Sequence, residues 1–152
     1  MIVQDFQGAR FNYRVGGVVI KRQQVLLCHE PAGDFWYLPG GRVEMGEEAR
    51  QSLEREIYEE LQMPARVGRM LWVTENFFEL EGTPIHEVGL YFALDIPLEP
   101  TPEPLIGQEA GQKLWFRWVP LQDLPKINLR PDFLKAALRA LPVRTKHIIH
   151  RG

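Results

Sequence analysis

The apolar positions fall into two different periods along the chain. Between Tyr13 and Lys21 the β-branched residues Val15, Val18, Val19 and Ile20 are dense and predict a strand. Lys21 to Gln24 is a polar turn, and Val25 to His29 is the return strand of a hairpin. Pro31-Ala32-Gly33-Asp34 predicts a loop. Phe35 to Leu38 reads as a short aromatic strand that stops at Pro39-Gly40-Gly41. The period then changes. From Glu47 to Leu61 there is no Gly or Pro, good helix formers dominate, and Leu53, Ile57 and Leu61 recur at helical spacing. Gly46 is the expected N-cap, Glu47 and Glu48 occupy the expected first turn, and Pro64 stops the helix.

Beyond the helix, Val67 to Phe78 and His86 to Leu94 predict two strands around the turn Glu81-Gly82-Thr83-Pro84. Pro97 to Gly111 is rich in Pro, Glu and Gly and reads as a surface loop. Lys113 to Val119 alternates aromatic and polar residues, as a strand does. Pro131 suits the first position of a second helix running to Leu141, and the basic tail from Pro142 is expected to be partly mobile. Strands before and after a central helix, with a helix at the end, predict a mixed α/β fold with a helix on each side of a curved sheet. No repeat or linker divides the chain, so residues 1–152 are expected to form one domain.

Composition narrows the class. Hydrophobic residues make up 45% and charged residues 25%, the profile of a soluble globular protein. The net charge of −2 argues against stable nucleic-acid binding or attraction to an anionic membrane. It leaves room for a small anionic ligand, because a bound cation can supply local positive charge. Cys28 is the only cysteine, which excludes an internal disulfide and a zinc site built on paired thiolates. It lies in the apolar run Val25-Leu26-Leu27-Cys28 and is expected to be buried. Met1 to Arg10 lacks the apolar core of a signal peptide, and no apolar run is long enough to span a bilayer. A cytoplasmic location is the expectation.

The chemistry is concentrated on the central helix. On a helical wheel Glu56, Glu59 and Glu60 share one arc about 100° wide, beside the arc of Leu53, Ile57 and Leu61. Three carboxylates at the rim of a buried face repel one another. A hard divalent cation removes that repulsion, and Mg²⁺ binds through carboxylates, waters and phosphates. Arg55 can hold one of these carboxylates through its guanidinium fork. Glutamate-rich helices are more often solvated faces. The preceding Gly40-Gly41 shifts the balance, because it lets backbone carbonyls approach a ligand at the helix start.

Loop and helix together resemble the Nudix box, G-x5-E-x7-R-E-U-x-E-E-x-G-U, where U is aliphatic. Gly41, Glu47, Arg55-Glu56-Ile57, Glu59-Glu60 and Met63 fall at the required positions. Such a match arises by chance on the order of once in 10⁷ to 10⁸ starts. Trp36-Tyr37-Leu38-Pro39-Gly40-Gly41 looks like the family's lead-in, and Trp118-Val119-Pro120-Leu121 resembles its late strand. Gln62 stands where the family has Gly at the helix exit, so either Gln62 adopts a left-handed conformation or the helix ends differently.

The resemblance implies an α/β/α sandwich and Mg²⁺-dependent hydrolysis of a phosphoanhydride bond in a nucleoside diphosphate linked to another moiety, with Mn²⁺ able to substitute. Carried over by position, Glu56, Glu59 and Glu60 would ligate the metal with help from the carbonyl of Gly40 or Gly41. Glu47 and Arg55 would brace the loop and helix. The general base would be a box glutamate or a loop acid, with Glu109 the first candidate and Glu103 and Glu87 its competitors. Glu44 would support the loop. Arg14 could reach a phosphate, and Phe35, Trp36, Phe77 and Phe78 could stack on a base. The rival reading is a ligand-sensing or protein-interaction domain without catalysis. Retention of every box glutamate argues against it. Relatives often pair as homodimers, and the sequence leaves that open.

Overall fold

The computed structural model describes residues 1–152. The chain runs through β1 (Val3–Phe6), β2 (Ala9–Val18), β3 (Ile20–Lys21), β4 (Gln24–His29) and β5 (Gly40–Arg42) into the long helix α1 (Ala49–Leu61). Then follow β6 (Arg66–Leu80), β7 (Thr83–Asp95), β8 (Leu105–Glu109) and β9 (Gln112–Pro120), a 3-10 turn over Leu121–Lys126, the short helix α2 (Leu134–Ala137) and β10 (Lys146–Arg151). No helix is long and apolar enough to cross a membrane.

The strands form two sheets rather than the single one expected. The first has the order β1-β2-β7-β6-β10, with β5 pairing the second half of β2. It is mixed, since β2–β7 and β6–β10 run parallel and the other pairs antiparallel. The second, β3-β4-β9-β8, is antiparallel. Alternate residues of a strand face opposite sides, so the first sheet feeds two cores. Val15, Phe92 and Leu94 pack with Leu53, Ile57 and Leu61 of α1. Val18, Leu71, Trp72 and Tyr91 pack with Leu134 and Leu138 at the second helix. The helices therefore do lie on opposite sides, which gives the mixed α/β layering.

Several elements differ from the sequence expectation, each for a physical reason. Helix α1 starts at Ala49 with Glu48, not Gly46, at the N-cap. The Glu48 backbone N–H donates to the Gln51 side chain at 3.4 Å. Glu47 stays in the loop because Arg55 claims it there. Phe35 to Leu38 forms only isolated bridges, Cys28 with Tyr37 and Trp36 with Leu129. The glycine pair instead enters β5, held antiparallel to β2. The Pro97–Gly111 stretch is not all loop, since Leu105–Glu109 is β8, joined to β9 through Ala110 and Gly111 at φ 48° and 80°. Two such residues form the hairpin turn whose twist matches its strands. The second helix shrinks to Leu134–Ala137. The tail is not free, because Lys146 to Arg151 pairs in parallel with Trp72 to Phe77.

Gln62 ends α1 at φ 58° and ψ 37°, a left-handed position, with its N–H donating to Tyr58 O at 2.9 Å. A residue with a Cβ pays for that conformation, whereas glycine does not. Gln62→Gly is expected to raise stability by about 0.5–1 kcal/mol, read as a higher denaturant midpoint at unchanged slope. An unchanged midpoint would mean that the Gln62 side-chain bonds to Tyr58 O and Glu59 O offset the strain.

Candidate active site

The site is assembled where the β5 loop, α1 and β8 meet. Arg55 is its organiser. Its Nε and Nη2 donate to the two carboxylate oxygens of Glu47 at 2.8 and 3.0 Å. Its Nη1 donates to Glu56 and Glu59, both at 3.1 Å, and its Nη2 also reaches the Arg42 carbonyl at 3.2 Å. One planar guanidinium thus ties loop, β5 and helix together, which the point charge of a lysine cannot do. The Arg55 hydrogen bonds hold the Glu47 carboxyl down at about 2, and Glu47 in turn raises Arg55. Glu44 contributes at the loop, its backbone N–H donating to Glu47 at 3.2 Å and its carboxylate meeting the N-terminal ammonium.

Glu60 is the unusual member. It is 3% exposed, and neither carboxylate oxygen has a hydrogen-bond partner. Burial first, then the facing carboxylates of Glu109 and Glu56, push its carboxyl up to about 9. Burial also raises Glu56, against the pull of Arg55. A buried carboxylate without a partner is costly, and evolution rarely leaves one without use. Glu56, Glu59, Glu60 and Glu109 line one cavity of about 270 Å³. Their oxygens do not converge on one point, since Glu56 and Glu59 turn to Arg55.

Two glycines make close contacts beside this cavity. A Cβ on Gly41 would overlap the Glu56 carboxylate, and one on Gly107 of β8 would strike the Glu60 carbonyl. The first contact sets the β5 loop directly against a box carboxylate. The second sets β8 against the end of α1, and so brings Glu109 to Glu60. Residues of these types, all hard oxygen donors around an unpartnered buried carboxylate, fit Mg²⁺ or Mn²⁺.

Beside it lies a larger cavity of about 530 Å³, which shares Glu109 with the first. Arg14 and Phe35 line it, as expected of substrate-binding candidates. Arg14 has the Tyr37 ring 5.7 Å from its guanidinium carbon and stays charged through the nearby acids Glu87 and Glu109 despite burial. Arg130 lies 4.9 Å over the Phe35 ring. Phe77 is different. It faces away from the cavity, between His86 at 4.4 Å and Arg151 at 4.3 Å, and its neighbour Phe78 takes the lining position. The period of two decides this, since adjacent strand residues face opposite sides. Trp36 packs on His29, outside the cavity. Of the acids proposed as base, Glu109 lines both cavities, Glu87 only the larger, and Glu103 neither, being bonded to Thr101.

Sequence reasoning missed Asn12, Arg42, Asn76 and His150, all of which line the larger cavity. The available signal was polarity out of phase with its strand. Asn12 and Arg14 alternate with the core residue Val15, and Asn76 sits in an apolar run on the same face as Phe78.

The chain is similar in sequence and in fold to known proteins. A model of the NUDIX domain matches residues 10–141. A Caenorhabditis elegans protein named as a nudix hydrolase is 27% identical over 147 residues, covering 88% of this chain and 36% of its own. The CTP pyrophosphohydrolase of Escherichia coli (strain K12) is 36% identical over 76 residues, covering 47% of this chain and 55% of its own. The chain therefore spans about a third and about half of the length of these curated relatives. The structure of a MutT protein from Bacillus halodurans superposes with a TM-score of 0.66 at 18% identity, over 91% of this chain and 89% of the other.

Proposed function

This chain belongs to the Nudix hydrolase family, and we propose that it uses a divalent cation, Mg²⁺ or Mn²⁺, to hydrolyse a phosphoanhydride bond in a nucleoside diphosphate linked to another moiety. A nucleoside triphosphate, a nucleotide sugar and ADP-ribose all have that form. The observation that carries the reading is Glu60, buried, without a partner and set among further carboxylates in a cavity that shares Glu109 with a second one large enough for a nucleotide. When bound, the cation would neutralise phosphate charge and polarise the bond under attack.

The residues of the chain supply the rest. Glu56, Glu59 and Glu60 would hold the cation, with the carbonyl of Gly40 or Gly41 as a further donor. Arg55 and Glu47 keep the box glutamates in place and touch no substrate. Arg14 would meet a phosphate in the larger cavity. Glu109 stands between the two cavities and would accept the proton of the attacking water. Phe35 would cover the organic part of the substrate. A non-catalytic sensing domain has no need of this carboxylate set. Location in the cytoplasm and pairing as a homodimer stand as expectations.

Glu109→Gln tests the base. It should lower kcat about 10²- to 10⁴-fold, leave KM within a few-fold and flatten the acid limb of the pH–rate profile. An unchanged acid limb would assign the base to a box glutamate instead.

A further inference from the structure

Strands β2 and β5 set two arginines directly opposite one another. Arg14 and Arg42 are Cα partners in this antiparallel pair, and both line the larger cavity. Like charges opposed in this way weaken a sheet, so the pair needs a reason. Burial first, and then the Arg14 guanidinium, draw Arg42 below its ordinary value. The fold can partner an arginine on this strand, since Arg10, on the same face of β2, donates to Asp5 at 2.8 Å. Arg14 and Arg42 have no carboxylate within ion-pair distance. Arg42 Nη1 meets only the Met1 sulfur, a weak acceptor, at 3.2 Å. Arg14 has the Tyr37 ring beside it, and its unpartnered nitrogens are not sealed in the interior. Glu87 and Glu109 balance Arg14 from beyond contact, which leaves its N–H fork free for a ligand.

The pair stands next to the box carboxylates along the chain. Gly41 precedes Arg42, and a Cβ on Gly41 would meet the Glu56 carboxylate. Gly41 thus faces α1 and Arg42 faces the cavity, as adjacent strand residues do. Glu109 lines both cavities and joins the two sides. A phosphoanhydride seated on both has one phosphorus at the box carboxylates and the other at the arginines. The cavity of about 530 Å³, lined by Phe35 and Tyr37, lies on the arginine side. The phosphoryl group at the arginines is then the one attached to the nucleoside. Two guanidinium forks suit a phosphate monoester, which carries two charges and three terminal oxygens.

We propose that Arg14 and Arg42 form a two-arginine clamp on the phosphoryl group that stays with the nucleoside, and that the clamp holds the nucleoside 5′-monophosphate product without any divalent cation. The proposal rests on the reading that the larger cavity takes the nucleotide of a phosphoanhydride substrate. The clamp grips substrate and product alike, so it acts on binding and not on the chemical step.

The test uses the full chain in EDTA, with AMP, GMP, CMP and UMP each titrated beside its own nucleoside by calorimetry. At least one monophosphate should bind about tenfold or more tightly than its nucleoside, and the gap should narrow as salt rises. Arg42→Gln should reduce that gap to about threefold or less with nucleoside affinity unchanged, and Arg42→Lys should keep part of it. Arg42→Gln should not lower the melting temperature of the free protein, because it relieves the opposed charges. No binding of any monophosphate in EDTA, binding no tighter than the nucleoside, or an intact gap in Arg42→Gln would overturn the clamp. If Arg42→Gln fails to fold, Arg42→Lys and the salt dependence of the unaltered protein decide. Turnover separates the two readings. Anhydride hydrolysis without a monophosphate gap sinks the clamp alone, and a gap that Arg42→Gln removes, without hydrolysis of any anhydride, sinks the phosphoanhydride reading alone.

Discussion

Glu60→Gln is expected to abolish cation-dependent turnover, by about a thousandfold or more, while raising the melting temperature of the metal-free protein. Both effects come from one feature. Glu60 is buried with neither oxygen partnered, so its negative charge is unfavourable until a cation meets it. Its carboxyl is pushed up to about 9 from an ordinary value of 4.5. The sign follows from linkage. The folded state prefers the protonated form, so this group's contribution to stability is fully present below about pH 4.5 and is lost as pH rises towards 9. Glutamine is neutral throughout and removes that loss. Melting curves in a chelator between pH 5 and 9 should therefore fall less steeply for the variant. Added Mg²⁺ should stabilise the unaltered protein and not the variant. Equal stabilisation of both by Mg²⁺ would place the cation elsewhere.

Arg55→Ala should cost about 10- to 100-fold in kcat/KM and also destabilise the fold. Arg55 donates to Glu47, Glu56, Glu59, Ser52 and the Arg42 carbonyl, so its removal frees a ligand pair and leaves loop and helix untied. The acid Glu47 gives the accompanying pH signature. Its carboxyl is held at about 2 by Arg55, below the ordinary 4.5. That contribution is present above about pH 4.5 and is lost as pH falls towards 2. In Arg55→Ala the acid limb of the stability curve should shift towards higher pH. Arg55→Lys should restore part of the stability and little of the activity, because an ammonium cannot span Glu47 and the box glutamates at once. Full rescue of activity by lysine would reduce Arg55 to a simple charge.

The parts of the fold legible in the sequence were those whose period is strong and whose partner is near. Helix α1 repeats Leu53, Ile57 and Leu61 over three turns, and the β6–β7 hairpin closes on its own turn. The box glutamates were legible because their spacing is fixed by one helix. The missed elements depend on distant partners. β8 lies in a stretch rich in Pro, Glu and Gly, and becomes a strand by pairing with β9 and packing Gly107 on the Glu60 carbonyl. β10 is basic and mostly exposed, and its order comes from parallel pairing with β6, some seventy residues away in the chain. The second helix looked longer because Pro131 suits a helix start, yet only Leu134–Ala137 is helical. The same limit applies to the site. Glu109 was named as a candidate from the family resemblance and its place at the end of the long loop, and the structure sets it at both cavities. The pairing of Arg14 with Arg42 needs β2 and β5 in register, and no local pattern announces it.

Phosphoanhydride hydrolysis on the carboxylates of the box is decided by one assay. The purified protein is incubated with Mg²⁺ and a panel of nucleoside triphosphates, nucleotide sugars, ADP-ribose and dinucleoside polyphosphates, and phosphate release is read with and without added phosphatase beside Glu60→Gln. One substrate class should turn over well above the rest, turnover should cease in a chelator, and Glu60→Gln should be inactive though folded. Turnover that survives in Glu60→Gln or without any divalent cation would contradict it.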